Sequence, residues 1–353
     1  MIQSIAIENF KCFHKLKLSL SKLNVFTGIN GMGKSSLIQT ILLIRQTIEQ
    51  GDLSQSIILN GKYISLGKCR DILTENANSE EIRLEFEEGG RKITVVTEYD
   101  AESDLMGVMQ LSDADLPWLK NEFEYISADR LSPKSVYEQS SLFVDVYNQL
   151  GTNGQYTAHF LAKHQDDIYD QQFGDKSSLR DIVQFWLEEI SPNIKFSIQD
   201  IKNTNLSQLN YYYMGKQKSN EYRPINVGFG ITYVLPVITA LVKAKPNSIL
   251  ILENPEAHLH PKGQRKMGEL IAETARKGVQ IFLETHSDHI INGIRLAVKN
   301  KKLNSNDVTI CFFTADETEH TVETPRILDN GKLDYWPEGF FDEWDNALNE
   351  LIQ

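Results

Sequence analysis

The sequence predicts an α/β fold with a mostly parallel core sheet, on three observations. The glycine-rich loop GINGMGKSS (28–36) lies between a strand-like segment and a helix-like segment. Two short apolar runs, SILILE (248–253) and VQIFLE (279–284), are typical of parallel strands buried on both faces. The segment between them, GQRKMGELIAETARKG (263–278), has the periodicity of a crossover helix.

The N-terminal half is predicted to open with strands and to continue into a helix. Residues 2–28 alternate in polarity, as two or three strands of a hairpin-like opening do. Residues 34–50 carry apolar side chains at helical spacing. Residues 82–100 alternate around a Gly-Gly pair, which indicates an antiparallel hairpin, and EFEYI (122–126) predicts a strand that runs into a loop.

The C-terminal half is predicted to mix helices and strands. Residues 143–190 are expected to be largely helical, and residues 194–215 return to the alternation of strands. GITYVLPVITALVKA (230–244) predicts an apolar helix. The tail predicts another strand from about Val308 and a closing helix in FFDEWDNALNELI (340–352), and no heptad run of coiled-coil length is present.

Composition and charge exclude several classes of protein. The chain has 353 residues and a formal net charge of −12, which is untypical of a general nucleic-acid binder, although a local basic groove stays open. Cys12, Cys69 and Cys311 lie far apart, so we expect no disulfide or zinc framework and a reducing, cytoplasmic location. No signal peptide or membrane-spanning segment is expected, and therefore no membrane partner.

The loop at 28–36 matches the phosphate-binding pattern G-x-x-x-x-G-K-[ST] at Gly28, Gly33, Lys34 and Ser35. Its glycines let backbone N–H groups turn toward an anion at the positive end of the following helix. Lys34 would reach the β- and γ-phosphates, and Ser35 would bind Mg²⁺. A glycine-rich turn without a ligand is the alternative, and the strand-loop-helix context favours phosphate.

The apolar run SILILE (248–253) ends in Glu253, where phosphate-loop enzymes place the acid that holds the Mg²⁺ shell. The same residues also suit the start of a helix, with Pro255 at its first position and Glu256 near its positive end. Two histidine clusters follow, EAHLH (256–260) and THSDH (285–289), and a transition-metal site there is the less favoured interpretation.

Four motifs stand in a fixed order along the chain: GINGMGKSS, NVGFGITYVLP, ILILENPEAHLHP and FLETHSDHIINGIR. In this order the chain resembles the ABC-type P-loop ATPases of the SMC, RecF and OLD-nuclease kind. It is most similar to a group of small stand-alone bacterial AAA-family ATPases that share ENPEAHLHP and ETHSDH and end in a WPEGFFDE-like segment, here Trp336 to Glu343. The resemblance covers both ends, about half of the chain.

The resemblance implies an ABC-type head at 1–305, with a mostly parallel core sheet, an antiparallel β subdomain, a helical subdomain and no coiled coil. Within it we expect an N-terminal lobe (1–125), a helical and strand insertion (126–222) and a lobe with the signature, Walker B and switch motifs (223–305). A small C-terminal domain would occupy 306–353.

The resemblance also implies a role for each matching residue. Glu253 takes the position of the Walker B acid and would share Mg²⁺ with Ser35. His286 resembles the switch histidine at the γ-phosphate. NVGFG (226–230) lies where such proteins carry the signature that touches the nucleotide of a partner subunit. The residues expected to bind ATP are Asn30, Gly31, Gly33, Lys34, Ser35, Ser36, Gly228 and Gly230.

One position departs from the ABC pattern, because Asn254 stands where the catalytic glutamate directly follows the Walker B acid. An amide can orient a water molecule but cannot accept its proton. Glu256 is the preferred substitute base, Glu284 is a second candidate, and slow hydrolysis is a third account. Arg130 could approach phosphate or a partner subunit, with a surface salt bridge as the favoured alternative.

These features predict an ATP-binding and ATP-hydrolysing ABC-type ATPase that dimerises around Mg-ATP. The resemblance implies coupling to a separate effector, with a nuclease as one candidate, in antiphage defence or a nucleic-acid-related system. The tail after THSDH is too short for the nuclease domain of OLD enzymes. The alternative is a nucleotide-gated scaffold or sensor with little hydrolysis, which Asn254 favours, whereas a transporter motor fits poorly because no LSGGQ-like signature is present.

Overall fold

The computed structural model describes residues 1–112, 116–169, 177–315 and 320–352. In chain order, the strands of these residues are β1 (Ser4–Phe10), β2 (Phe13–Ser19), β3 (Leu23–Gly28), β4 (Ser56–Ile58), β5 (Arg83–Glu88), β6 (Arg91–Thr97), β7 (Leu105–Ser112), β8 (Phe123–Ile126), β9 (Tyr137–Glu138), β10 (Ile194–Asp200), β11 (Leu206–Tyr213), β12 (Ile249–Glu253), β13 (Gln280–Glu284), β14 (Val308–Ala315) and β15 (His320–Glu323). The helices are α1 (Lys34–Gln50), α2 (Thr157–His164), α3 (Leu179–Ile190), α4 (Phe229–Lys243), α5 (Pro261–Arg276), α6 (Asp288–Lys299) and α7 (Glu343–Ile352).

The chain divides into two compact units. Unit 1 contains Met1–Asn121, Ser305–Leu328 and Lys332–Gln353. Unit 2 contains Glu122–Asn304 and Asp329–Gly331. The lobe boundaries expected from the sequence remain a prediction.

Unit 1 contains an antiparallel sheet with the strand order β2-β1-β5-β6-β7-β4. The alternation along these strands turns one face inward, as in β1, where Ile5, Ile7 and Phe10 are buried. The Gly89–Gly90 pair closes the β5–β6 hairpin with positive φ at both positions, which glycine adopts without strain. The hairpin expected at 82–100 is therefore confirmed.

Unit 1 also holds the strand that leads into the phosphate loop. β3 pairs in parallel with β14, and β15 pairs with β14 in antiparallel fashion. The C-terminal segment is attached beside them, because the buried ring of Phe340 packs edge-on against Phe312 at 5.2 Å between ring centroids. The ring of Trp336 packs on the other side of Phe340, also at 5.2 Å.

Unit 2 is built on three parallel strands, in which β12 pairs with β13 on one side and with β8 on the other. α5 is the crossover between β12 and β13, as the sequence predicts. α5 and α6 pack closely, since a Cβ built on Gly268 would lie 2.2 Å from the Ile290 carbonyl oxygen. A second, antiparallel sheet has the order β10-β11-β9.

The sheets are mixed, and both parallel and antiparallel pairs occur, so the expected α/β class is confirmed. Within the described part of the chain the longest helix is α1, with 17 residues, so no coiled coil of SMC length is present there. None of the helices in the described part of the chain combines the length and the apolar character needed to cross a bilayer.

Two local expectations were wrong. Residues 143–190 are not one helical region: only 142–146, α2 and α3 are helical among the described residues, and 170–176 lie outside them. The NPEA segment does not open a helix either. It forms a turn, and α5 begins at Pro261 with the His260 side chain as its cap, so Pro261 rather than Pro255 takes the first helical position.

Candidate functional site

The phosphate loop connects β3 to α1 in unit 1 and has the backbone geometry that its glycines permit. Gly28, Gly31 and Gly33 take φ values of 130°, 83° and 99°, which side chains rarely adopt. Gly28 also has no room for a side chain, because a Cβ would lie 2.2 Å from the Phe313 carbonyl oxygen. A Cβ on Gly33 would meet the ring of Phe13 at 2.4 Å. Both ends of the loop are therefore fixed by close packing.

The Lys34 side chain is buried and folds back over its own loop. Its Nζ donates hydrogen bonds to the carbonyl oxygens of Gly28 at 2.9 Å and Ile29 at 2.7 Å. Ser35 is exposed and Ser36 is half-buried in the first turn of α1, while Asn30 and Gly31 are exposed at the top of the loop. The ammonium group thus lies at the loop that the predicted phosphates would occupy.

The second group of predicted site residues lies at the carboxyl ends of β12 and β13 in unit 2. Glu253 and Glu284 are direct neighbours in the parallel register of these strands. The backbone N–H of Asn254 donates to the Glu284 carbonyl oxygen at 2.9 Å, which extends the pairing by one residue. The side chains that follow the two strands are therefore brought to one edge of the sheet.

The Glu253 carboxylate is held on both of its oxygens. Oε1 accepts a hydrogen bond from the Tyr125 hydroxyl at 3.1 Å, and Oε2 accepts one from the Ala128 N–H at 3.0 Å. Burial raises the pKa of this carboxyl, although both hydrogen bonds oppose the shift. Burial and the neighbouring Glu253 charge likewise raise the pKa of Tyr125, so the phenol remains a hydrogen-bond donor.

The turn after β12 brings Glu256 against the loop after β13. Glu256 Oε2 accepts a hydrogen bond from the Thr285 hydroxyl at 2.9 Å, and Oε1 accepts one from the His286 N–H at 2.7 Å. Burial raises the pKa of Glu256 as well. The His286 ring is exposed, so the structure joins these two predicted residues through the histidine backbone and leaves the imidazole at the surface.

Arg130 fixes the same turn from the β8 side, and the favoured expectation of a surface salt bridge was wrong. The side chain is 3% exposed, and its Nη2 donates to the carbonyl oxygens of Glu253 and Asn254. Burial lowers the pKa of the guanidinium to about 10, while the nearby charges of Glu256 and Glu253 oppose that shift. Its Nε and Nη1 are buried without a hydrogen-bond partner.

The signature-like residues lie at the start of α4. Gly228 is the exposed residue before the helix, and a Cβ built there would meet nothing within 4 Å. Gly230 differs, since a Cβ would lie 2.4 Å from the His258 carbonyl oxygen. His258 also places its ring edge-on against Tyr233 at 5.0 Å between centroids. Glycine is thus required at position 230 for close packing against the turn that holds Glu256. At position 228 the packing leaves room for a side chain.

The residues suit Mg²⁺ and give no support for a transition-metal centre. Among the residues that the structure describes, no group of three or more His, Cys, Asp or Glu side chains could hold a metal ion. Mg²⁺ prefers oxygen ligands and keeps several waters. The Ser35 hydroxyl and the Glu253 carboxylate are ligands of this kind, and a carboxylate that already accepts two hydrogen bonds still has lone pairs to offer.

A phosphate loop between β3 and α1, together with an acid at the end of a parallel strand, is typical of a P-loop ATPase head. Residues 23–292 match the family described as "AAA domain, putative AbiEii toxin, Type IV TA system", and the chain belongs to this family. Residues 303–351 match a second family, described as "Protein of unknown function (DUF3696)".

Solved SMC heads share the fold at low sequence identity. An SMC head bound to the C-winged helix domain of ScpA is 14% identical, with a TM-score of 0.57 over 92% of this chain and 98% of that chain. An SMC head with an extended coiled coil, bound to the C-terminal domain of ScpA and derived from Pyrococcus furiosus, is 13% identical, with a TM-score of 0.53 over 100% of this chain and 99% of that chain.

One curated relative aligns over a short segment. The uncharacterised protein MJ1542 of Methanocaldococcus jannaschii is 31% identical over 70 residues, which are 20% of this chain and 8% of that protein. The alignment therefore spans less than a tenth of that relative's length.

Two residues beside Glu253 were missed or misjudged in the sequence. Tyr125 was expected only as part of a strand, and the signal that could have found it is its place one residue before the end of β8, which pairs with β12. For Arg130 the signal is the position just beyond the same strand. Tyr125 and Arg130 lie beside Glu253 because β8 pairs with β12 in the sheet. The order of strands in a sheet cannot be read from local sequence patterns.

Proposed function

We propose that this protein hydrolyses ATP as a head-to-tail homodimer closed around two Mg-ATP molecules, and that closure acts on a separate effector protein. The observation that carries the proposal is the Glu256 carboxylate. It lies in the turn directly after the Walker B strand, accepts a hydrogen bond from the N–H of His286, and has its pKa raised by burial. A base needs this combination of position and proton affinity.

In this mechanism the residues of the two units have separate tasks. The amides of the phosphate loop and the Lys34 ammonium would bind the phosphates, and Ser35 and Glu253 would hold Mg²⁺. Bound Mg-ATP supplies the electrophilic γ-phosphoryl group. Glu256 accepts the proton of the attacking water, and Asn254 orients that water. The signature of the partner subunit, with Gly228 and Gly230, contacts the γ-phosphate, as does His286.

The effector, its setting and the location of the protein belong to the proposal. The two SMC heads with the same fold are bound to ScpA, and the family description names a toxin system. We therefore place this ATPase in antiphage defence or another nucleic-acid-related system, with a nuclease as one candidate effector. We place it in the cytoplasm, because Cys12, Cys69 and Cys311 are all free thiols.

The alternative function is a nucleotide-gated scaffold or sensor that binds ATP and scarcely hydrolyses it. Asn254 favours this alternative, since the position that carries the base in ABC-type ATPases holds an amide. The two functions share ATP binding and dimerisation and differ only in turnover.

Steady-state ATP turnover of the purified chain tests the proposal. Lys34→Ala should abolish ATP binding and turnover together. Glu256→Gln should keep ATP binding and lower turnover by about 10²- to 10⁴-fold, the usual contribution of a general base. Glu138→Gln, an exposed glutamate of unit 2, is the matched control and should match the wild type.

Two results would decide against parts of this function. Tight ATP binding by the wild type with turnover no higher than in Lys34→Ala would establish the scaffold instead. Normal turnover in Glu256→Gln would remove Glu256 as the base, and Glu284→Gln would then be the next variant to measure.

A further inference from the structure

α7 exposes an apolar face. Trp344, Leu351 and Ile352 are 72%, 82% and 81% exposed. With Leu348 they stand at positions i, i+4, i+7 and i+8 of the helix, so the four side chains lie within one stripe of about 100°. Four large apolar side chains on one face are the arrangement that a helix uses to enter a groove on another protein.

Exposed apolar side chains are unusual on a helix as short as α7. An isolated helix shorter than about 12 residues is marginal in water, and helices in proteins are stabilised mainly by packing of the apolar face. α7 has 10 residues, and three of the four side chains in its apolar stripe are exposed, while Leu348 is half-buried. A contiguous exposed apolar surface in a folded protein commonly marks an interaction site.

The base of α7 is nevertheless fixed to unit 1. Phe340, three residues before the helix, is fully buried against Phe312. The Asp342 carboxylate accepts a hydrogen bond from the Gly339 N–H at 2.9 Å, and the Asp342 carbonyl accepts one from the Asn346 N–H at 3.0 Å. The helix is therefore presented from a defined attachment point.

The acidic residues around the apolar stripe indicate which kind of surface binds α7. The segment 337–352 contains five acidic residues and no lysine or arginine: Glu338, Asp342, Glu343, Asp345 and Glu350. Helices that lie on membranes carry Lys and Arg on their polar face, so an anionic membrane would repel α7. A second copy of this chain is also acidic overall, with a net charge of −12, so it complements the segment less well than a basic protein does. A basic protein surface complements the segment.

We propose that α7 docks into an apolar groove rimmed by lysine and arginine on a partner protein. This inference deepens the proposed coupling to an effector and rests on it for its biological meaning. It assigns the contact to the segment 336–352 of unit 1 and predicts the chemistry of the partner: an apolar groove for Trp344 and Leu351, with basic residues facing the acidic flank.

Site-specific photo-cross-linking of the full-length chain in its native host identifies the occupant. A benzophenone amino acid at position 344 should cross-link to one protein, and the same group at position 346, on the opposite face of α7, should not. The cross-linked protein is then identified by mass spectrometry and purified. A cross-link to a second copy of this chain, to lipid, or to nothing above the position-346 control would overturn the proposal.

Affinity measurements with the purified partner complete the test. Trp344→Ala and Leu351→Ala should each weaken binding about 10- to 100-fold, as removal of buried anchor residues does. Trp344→Phe should restore most of the affinity, and Asn346→Ala should have no effect. Raising the salt concentration should weaken binding of the wild type, because the complementary charges lie at the rim. Equal affinity of the wild type and the Trp344→Ala variant for the partner would contradict the proposal.

ATP turnover separates this inference from the proposed function. The α7 variants carry no change in the phosphate loop or the Walker B turn and should hydrolyse ATP as the wild type does. If they bind no partner while turnover is normal, only the docking step is lost. Absence of turnover in the wild type, with partner binding that still depends on Trp344, would leave α7 docking in place and remove the ATPase.

Discussion

Arg130 illustrates how a buried cation can organise a turn. Its guanidinium donates to two successive carbonyl oxygens, those of Glu253 and Asn254, and lies near the Glu256 carboxylate. The Arg130 charge lowers the pKa of both Glu253 and Glu256 against the larger effect of burial. Arg130 is therefore placed to hold the geometry of the turn and to keep its two carboxylates ionised.

Replacement of Arg130 by methionine should affect stability and proton affinity together. The two carbonyl oxygens lose their donor, so the free energy of unfolding should fall by about 3 kcal/mol. The pKa of Glu256 should rise further, because its favourable neighbouring charge is gone, and the acid limb of the pH profile of ATP turnover should move to higher pH. Urea unfolding and turnover against pH measure the two effects.

Arg276→Met is the control for this substitution, since Arg276 is a solvent-exposed partner of Glu273. It should change neither the stability appreciably nor the pH profile. An Arg130→Met protein with an unshifted pH profile would show that Arg130 acts on the fold alone.

The backbone gives a physical reason for the asparagine at position 254. Asn254 has φ of 44°, in the left-handed region, where asparagine is several-fold enriched and a glutamate side chain is disfavoured. The carbonyl oxygen Oδ1 of its side chain is buried without a hydrogen-bond partner. A water molecule that donates to this oxygen would be oriented beside the turn that holds Glu256, which agrees with the role proposed for Asn254.

At the scale of elements, the end of α1 is held by a half-buried ionic cluster. Glu49 accepts hydrogen bonds from Arg45 Nε at 2.6 Å, Lys62 Nζ at 2.9 Å and the Tyr63 hydroxyl at 2.8 Å. Burial alone would raise the pKa of Glu49, but the Arg45 charge and these hydrogen bonds outweigh it and hold the pKa below the ordinary value of 4.5. The cluster attaches the loop at 61–64 to the helix that begins with Lys34.

Glu49→Gln should destabilise the protein in a manner that depends on pH. A pKa that is lower in the folded state contributes stability above the unfolded value, and this contribution is lost as pH falls through the folded pKa. At pH 7 the free energy of unfolding should be lower by about 1.5–3 kcal/mol, the range for hydrogen bonds to charged groups. The deficit should shrink below about pH 4.5 in urea titrations at several pH values.

Glu8→Gln is the matched control, because Glu8 pairs with Lys15 and Arg83 at the surface of the same unit. Surface pairs contribute little, so this variant should stay close to the wild type at each pH. A pH-independent deficit in Glu49→Gln would contradict an ionic role for the cluster.

At the scale of the whole molecule, Gly228 and Gly230, the two glycines proposed as the signature, allow the proposed dimerisation to be tested separately from folding. Gly228→Ala should fold normally, because the added Cβ meets nothing within 4 Å and φ is −56°. In the Glu256→Gln background with Mg-ATP, the protein with Gly228 intact should form a dimer, and Gly228→Ala should shift it toward monomer. Light scattering coupled to size-exclusion chromatography measures both states.

Gly230→Ala is the comparison, since its Cβ would lie 2.4 Å from a backbone carbonyl oxygen and should lower the melting temperature. Gly215→Ala, also on an open surface, should leave both the fold and the dimer unchanged. A dimer of normal stability in Gly228→Ala would argue against the signature role of this segment.

The sequence by itself determined the class of protein and most of the elements. The phosphate loop requires particular residue types at fixed local spacing, and the hydrophobic periods of 82–100 and of the strands at Glu253 and Glu284 are also local properties. Local patterns failed at 143–190, where apolar spacing does not separate helices from the turns and loops that tertiary packing imposes.

Only the tertiary structure decided what surrounds the acids. Parallel pairing of β8, β12 and β13 joins Tyr125 and Arg130 to Glu253, more than 120 residues away in the chain. The same pairing places Glu256 on the backbone of His286 and makes Asn254 adopt a left-handed φ. Burial and hydrogen bonds set the pKa values of these carboxyls, and both depend on strand order, which no local pattern in the sequence encodes.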